Sequence, residues 1–171
     1  MSYSIFISHC MADEDAPIVR ALEERLRGRG IEPYLAERDP QPGEPLSSKV
    51  LQRIKDSDLV AVFWTRGGAS SAWVNQELGV ALSEGKRVVP IIERGVSPRG
   101  MLEGLERVEF DRAAPEKALG SLESFMARHR EAKLQAEVDK EMRADLVILI
   151  VLTVTVIAAL VIVLTLATRE G

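Results

Sequence analysis

Trp73 and Glu77 stand four residues apart in the segment SSAWVNQELG, residues 70–79. On a helix, residues i and i+4 lie one above the other on the same side. A carboxylate held beside an aromatic ring can line a cleft and take part in a reaction. On an exposed helix, a glutamate is an ordinary solvated charge and a tryptophan is a packing residue. The choice between these interpretations depends on the elements that position the pair.

The segment around Glu77 has the pattern of an amphipathic helix over residues 71–84. Its predicted buried face consists of Val74, Leu78, Ala81 and Leu82. Trp73 and Glu77 fall at the border of that face, where a carboxylate can line a cleft instead of facing bulk water. Ser71 is the predicted N-cap of this helix.

Strands and helices alternate along the chain before residue 145. Apolar runs predict five strands, at residues 4–8, 31–35, 58–64, 87–92 and 107–110. Amphipathic or charged segments predict helices at residues 13–29, 46–57, 71–84 and from 115 to about 142. This alternation predicts βαβ units and an α/β fold, a parallel sheet with helices on both faces. Pro90 predicts an edge or a bulge in the fourth strand.

Polar residues follow the first three strands. In an open α/β sheet, ligands bind beyond the carboxyl ends of the strands, where the strand order reverses. With the order 2-1-3-4-5, that crevice lies between the first and third strands. The first strand ends at Ser8 and His9, the second enters a Pro/Gly-rich loop (36–45), and the third leads into the helix of Trp73 and Glu77. These segments are therefore expected on one rim.

Composition excludes several classes of function. The chain has 22 basic and 26 acidic residues, a net charge of −4, which gives no reason to expect nucleic acid as a partner. Cys10 is the only cysteine, so neither an intrachain disulfide nor a cysteine-rich metal site is expected. The sequence has no G-x-G-x-x-G phosphate loop.

Residues 146–167 form a run without charge, proline or glycine. As a helix this run is about 33 Å long, enough to cross a hydrocarbon core of about 30 Å. Before it lie five basic residues within about twenty positions, Arg128, Arg130, Lys133, Lys140 and Arg143. After it there is only Arg169. The positive-inside tendency predicts a single-pass, tail-anchored membrane protein with its N-terminal part in the cytoplasm.

The expected organisation has four parts. Residues 1–130 form one globular domain, residues 131–145 a helical stalk, residues 146–167 a transmembrane helix and residues 168–171 a short tail.

Four blocks of sequence, in this order, together resemble the Toll/interleukin receptor (TIR) domain over about residues 3–130. They are SIFISHCMADED, ERDPQPGEPLSSKV, IKDSDLVAVFW and SSAWVNQELGVAL. The resemblance is to TIR proteins of the prokaryotic type, here with a C-terminal transmembrane helix. It implies the flavodoxin-like sheet of order 2-1-3-4-5.

The resemblance also implies cleavage of the bond between nicotinamide and ribose in NAD+. The spacing of Ser71, Trp73 and Glu77 matches the helix that carries the catalytic glutamate in NAD-cleaving TIR enzymes. Glu77 is therefore the expected catalytic residue. NAD+ is expected as the substrate, with no separate cofactor and no metal. The product, ADP-ribose or a cyclic isomer, stays open.

Other residues take expected roles from the same resemblance. Ser8, His9 and Trp73 would line the substrate site, and Arg38 would approach a phosphate. Three residues of the Pro/Gly-rich loop would take part in self-association, Asp39, Pro42 and Gly43.

Two functions compete with this enzymatic interpretation. Many TIR domains only recruit other TIR domains, so the chain can instead be a non-enzymatic adaptor that signals through homotypic contacts at the membrane. In a third interpretation, the membrane span itself is the effector. The leading hypothesis is an NAD+ hydrolase or cyclase in signalling or defence, activated by self-association.

Overall fold

The first part of the chain folds around a five-stranded parallel sheet. The computed structural model describes residues 3–11, 14–35 and 48–167, with the backbone alone described for residues 160–167. The strands are β1 (Tyr3–Ser8), β2 (Ile31–Leu35), β3 (Leu59–Trp64), β4 (Val88–Glu93) and β5 (Val108–Phe110). Their order is β2-β1-β3-β4-β5, and every neighbouring pair is parallel. The predicted order is confirmed.

Helices lie between the strands and after β5 in the described part of the chain. They are α1 (Ala16–Gly28), α2 (Ser48–Asp56), α3 (Arg66–Ser70), α4 (Ala72–Ser83) and α5 (Glu116–Ala167), with a short 3-10 helix at Gly100–Leu102. α1 begins later than predicted, at Ala16 instead of residue 13. The short α3 is not predicted by any apolar periodicity. It forms because Thr65 caps it: the Thr65 hydroxyl oxygen accepts a hydrogen bond from the amide of Gly68, 3.0 Å away.

The two faces of the sheet bury two separate apolar clusters. In β1 and β3, Ile5, Ile7, Leu59, Ala61 and Phe63 pack with α1 and the start of α5. The alternate residues Phe6, Val60, Val62 and Trp64 pack with α2 and α4. Side chains alternate between faces along a strand, and β3 is buried on both, which explains its continuous apolar run. We call the two sides the α1/α5 face and the α2/α4 face.

Pro90 lies in an interior strand, although the sequence predicts an edge or a bulge there. β4 pairs with β3 on one side and β5 on the other. The β5 pairing begins only at Ile91, which faces Val108. Among the described residues, the first half of β4, including Pro90, therefore has no partner strand on the β5 side, and a missing amide hydrogen is tolerated there.

Contacts divide the chain into two units, residues 1–128 and 129–171. In the second unit the described residues are helical through Ala167. The apolar side chains between Leu146 and Ile157 are exposed. By length and composition alone, this helix is apolar enough to cross a membrane. The predicted boundaries at residues 130 and 145 stay predictions.

Gly68 is required by the close approach of α3 to β3. A Cβ atom at this position would lie 2.4 Å from the carbonyl oxygen of Phe63, so the backbone would have to shift. We expect Gly68→Ala to lower the free energy of unfolding by about 1–3 kcal/mol. Urea unfolding of the full chain in detergent micelles, followed by tryptophan fluorescence, measures this loss.

Gly79→Ala is the matched control for that substitution. Gly79 lies inside α4, and the nearest atom to an added Cβ is the Met101 methyl carbon at 3.9 Å, an ordinary contact. Alanine is favoured over glycine inside a helix, so this variant should gain up to about 1 kcal/mol. Equal stability of the two variants would contradict the packing described for α3.

Candidate active site

A buried hydrogen bond joins the end of β1 to α4. The Ser8 hydroxyl donates to Oε2 of Glu77 at 2.5 Å. Ser8 is 0% exposed and Glu77 is 1% exposed. The structure thus brings together two residues that are 69 positions apart in the chain and that the sequence placed on one rim.

The alternation of side chains along β1 explains why Ser8 meets α4. Ser8 follows Phe6 by two positions, so both side chains point to the α2/α4 face. Phe6 packs into the apolar cluster of that face. Ser8, at the last position of β1, carries a hydroxyl to the level where α4 presents Glu77.

Local hydrogen bonds fix the start of α4. Ser71 is its N-cap, and the Ser71 hydroxyl accepts from the amide of Val74 at 3.4 Å, so the predicted cap is confirmed. The Asn75 side chain donates to the carbonyl oxygen of Ser71 at 2.8 Å. Of the four residues predicted to be buried, Val74, Leu78 and Ala81 are buried and Leu82 is half-buried against the same cluster.

Glu77 is more deeply placed than the helical projection predicts. The projection puts it at the border of the apolar face, but its side chain is as buried as that of Leu78. The difference arises because Ser8 offers a polar partner at that depth. Burying a carboxylate without a partner is costly, whereas a hydroxyl donor offsets part of that cost.

This arrangement determines what the site can do chemically. A carboxylate in an apolar, water-poor setting interacts with charge more strongly than one in solvent. Ser8 fixes its orientation at the carboxyl end of β1. Glu77 can therefore stabilise a cationic centre or accept a hydrogen bond from a hydroxyl group brought to that place.

The other predicted site residues differ in what the structure describes. His9 directly follows Ser8 and is 8% exposed, and Trp73 is half-buried one helical turn before Glu77. Cys10 is half-buried beside them in sequence. Four predicted residues lie outside the described residues, namely Arg38, Asp39, Pro42 and Gly43.

A second polar group occupies the carboxyl end of the sheet on the α1/α5 face. Asp15, at the start of α1, is 1% exposed. Its carboxylate accepts from the Thr65 hydroxyl at 2.7 Å and from Nη2 of Arg112 at 2.8 Å. Thr65 caps α3 with the same hydroxyl oxygen, so this group supports the segment that leads from β3 into α4.

Arg112 also binds Glu93, the last residue of β4. Its Nε and Nη2 atoms each donate to one oxygen of the Glu93 carboxylate, both at 3.0 Å. The Arg66 amide donates to the same carboxylate at 3.2 Å. The hydrogen bond from Arg112 lowers the pKa of Glu93, against the opposing effect of burial. In return, the hydrogen bond to Glu93 raises the pKa of Arg112.

These residues are not among those predicted from sequence, although a signal for them exists. Thr65, Glu93 and Arg112 stand at or just beyond the ends of three successive strands. The rule that strand carboxyl ends gather at one edge applies to β3, β4 and β5 as well as to β1. Among residues 3–11, 14–35 and 48–167, no cluster of three or more His, Cys, Asp or Glu side chains could hold a metal ion.

Comparison with known proteins identifies the family. The family model for the TIR domain matches residues 5–123. The chain therefore belongs to the TIR-domain family.

One curated relative is a plant protein, the probable 2′ cyclic ADP-D-ribose synthase BdTIR of Brachypodium distachyon. The chain is 24% identical to it over 89 residues, which cover 52% of this chain and 40% of that protein. The chain thus spans less than half of that relative's length.

Solved structures share the fold. The TIR domain of the Toll-related receptor TRR-2 from Hydra magnipapillata superposes with a TM-score of 0.56 at 20% identity, over 73% of this chain and 98% of that one. The CMP N-glycosidase BcmB from Clostridium botulinum gives a TM-score of 0.55 at 17% identity, over 71% and 98%. At these identities the likeness shows the fold alone.

The Glu93–Arg112 contact generates a pH prediction. An ordinary glutamate has a pKa of 4.5, and Arg112 lowers the pKa of Glu93 in the folded state. The folded state therefore favours the carboxylate, whose contribution is fully present above pH 4.5 and is lost as the pH falls through the lower folded pKa. We expect Glu93→Gln to cost about 2 kcal/mol at pH 7.

The difference in free energy of unfolding between wild type and Glu93→Gln should shrink below pH 4.5. Urea unfolding at several pH values between 7 and 3 measures it. Glu24→Gln, on the exposed side of α1, is the control and should match wild type throughout. A difference for Glu93→Gln that stays constant over this range would show that the carboxylate charge contributes nothing.

Proposed function

We propose that this TIR domain cleaves the bond between nicotinamide and ribose in NAD+, with Glu77 as the catalytic carboxylate. The observation that carries the proposal is the burial of Glu77 at the carboxyl end of β1, where the Ser8 hydroxyl orients it. The TIR relative from Brachypodium, named as a probable cyclic ADP-ribose synthase, supports the same substrate class.

The proposed reaction needs little from the protein besides an oriented negative charge. When the C1′–N bond breaks, its electron pair stays with nicotinamide, which leaves as a neutral molecule, so no general acid is required. The ribose passes through a state resembling an oxocarbenium ion. A carboxylate near that cation stabilises it electrostatically. Water then adds to C1′ and loses a proton, giving ADP-ribose, or a nucleophile within the ADP-ribosyl group closes a ring.

The remaining site residues support the carboxylate in this proposal. Ser8 holds Glu77 in one orientation through its hydrogen bond. His9 and Trp73 form walls of the site beside the nicotinamide ribose. Arg38 approaches a phosphate group.

Self-association and membrane attachment complete the proposal. Asp39, Pro42 and Gly43 form contacts between TIR domains. The apolar helix that includes residues 146–157 attaches the chain to a bilayer, with the TIR domain in the cytoplasm. Attachment to one surface raises the local concentration of domains, so weak contacts suffice to assemble active sites.

Glu77→Gln tests the catalytic role. The substitution keeps the size of the side chain and removes its charge, so NAD+ cleavage should fall by about 100-fold or more. The measurement is nicotinamide released from NAD+ by the full chain clustered in lipid vesicles. Glu84→Gln is the matched control, because Glu84 follows the same helix but is exposed, and it should retain activity.

The outcomes separate the enzyme from the adaptor. Equal nicotinamide release by wild type and Glu77→Gln would remove Glu77 from catalysis. No release by wild type, with self-association unchanged in Glu77→Gln and lost in Gly43→Ala, would instead support the adaptor function.

Removal of residues 146–171 tests membrane attachment. We expect the full chain to float with lipid vesicles in a density gradient and to stay bound after an alkaline wash. The shortened chain should remain in the soluble fraction, because the apolar run supplies the insertion free energy. Flotation of both forms to the same extent would contradict this role of the helix.

A further inference from the structure

A cavity of about 470 Å³ lies beyond the carboxyl ends of β3 and β4. It is lined by Arg66, Ala69, Ser70, Gly95, Val96, Ser97 and Arg99. This volume falls in the range of small-molecule sites in proteins. The cavity is distinct from the residues that surround Glu77, since neither Ser8 nor Glu77 lines it.

The described residues that line this cavity carry positive charge. Among the described residues that line it there are two arginines and no aspartate or glutamate. The nearby carboxylate of Glu93 accepts two hydrogen bonds from Arg112, a guanidinium that it shares with Asp15, and it also interacts with Arg66. The fork of an arginine guanidinium matches the oxygens of a phosphate, and two such groups facing one cavity suit a diphosphate.

The walls of the cavity are attached to the core of the domain. The indole Nε1 of buried Trp64 donates to the carbonyl oxygen of Ser97 at 3.1 Å, which holds the loop after β4. The Arg66 amide is bound to Glu93, and Thr65 caps α3 on the opposite wall. A preformed cavity loses less conformational entropy on binding than a loose loop does.

The cavity and Glu77 lie on the same side of the sheet. Trp64, which holds the cavity loop, packs into the apolar cluster that includes Val74 and Leu78 of α4. Only Ser71 separates α3, a wall of the cavity, from α4. Glu77 then lies roughly 8 Å along the axis of α4 from its first residue.

We propose that this cavity binds the diphosphate of a nucleotide, with Arg66 and Arg99 as its ligands. In naming that nucleotide as NAD+, the inference rests on the proposed function. The diphosphate of NAD+ is several covalent bonds from the nicotinamide ribose, so one dinucleotide can extend from the cavity to Glu77. Arg66 and Arg99 are then substrate-binding residues for the same reaction.

The test measures binding of ADP, ADP-ribose and inorganic pyrophosphate by isothermal titration calorimetry, with the full chain in detergent micelles. For Arg66→Gln/Arg99→Gln we expect the affinity for all three to fall at least tenfold. Both side chains are exposed, so the fold should be kept. The charge-matched control is Arg20→Gln/Arg94→Gln, two exposed arginines outside the cavity, which should bind like wild type.

Each outcome decides the proposal. Unchanged affinity in Arg66→Gln/Arg99→Gln overturns it, as does an equal loss in the control, which would show a non-specific effect of net charge. Absence of binding by wild type also overturns it. The expected kinetic counterpart is a KM for NAD+ raised at least tenfold with kcat nearly unchanged.

Failure of this inference is distinguishable from failure of the proposed function. If wild type binds ADP through Arg66 and Arg99 but releases no nicotinamide, the diphosphate site is supported and the proposed reaction is wrong. If wild type releases nicotinamide and its KM for NAD+ equals that of the double variant, the proposed reaction is supported and the diphosphate site is wrong.

Discussion

Burial of charge at the carboxyl end of the sheet is the constraint on which the rest of the structure depends. Asp15, Glu77 and Glu93 are each less than one-tenth exposed. A buried carboxylate is tolerated only where donors reach it. Here the donors come from other elements: a serine at the end of β1, a threonine after β3 and an arginine after β5. The correct strand order is therefore needed before any of these charges can be buried.

The buried carboxylates lie on both faces of the sheet, and their donors differ between the two faces. On the α1/α5 face, Arg112 binds two carboxylates, and Thr65 links one of them to the cap of α3. On the α2/α4 face, Glu77 has a hydroxyl donor in Ser8, a weaker partner than a guanidinium. The first group fixes the segment between β3 and α4. This group thus holds the segment that leads into α4, and the Ser8 hydroxyl donates to the Glu77 carboxylate that α4 carries.

Sequence patterns predict the fold better than the site. The alternation of strands and helices and the four TIR-like blocks give the sheet order, because burial periodicity and strand succession are local signals. The cap at Ser71 follows from its residue type. The depth of Glu77 does not follow from its own helix, since a helical projection contains no information about Ser8, 69 positions away.

The same limit applies to the polar group around Arg112. Its members come from the start of α1 and the ends of three strands, and only the three-dimensional register unites them. Once the strand register is known, the alternation of side chains along each strand explains which face each residue lies on. Thr65 follows Phe63 by two and Glu93 follows Ile91 by two, and both reach the α1/α5 face with those apolar residues. The sequence does not predict α3 for a different reason, because a five-residue segment with two glycines has no helical periodicity. This helix depends instead on the Thr65 cap and on the close approach of Gly68 to β3.

The two proposals together explain how a dinucleotide could be held without a glycine-rich phosphate loop. Such a loop supplies backbone amides to a diphosphate. In this chain, Arg66 and Arg99 would supply guanidinium groups at the ends of β3 and β4 instead. NAD+ carries a positive nicotinamide ring and a negative diphosphate at a fixed covalent separation. A negative Glu77 and a positive cavity on one face of the sheet match that pattern of charge, whereas a nicotinamide riboside lacking phosphates would meet only Glu77. Binding energy from the diphosphate would then hold the ribose beside the carboxylate, and phosphate recognition would contribute to the orientation that the reaction requires.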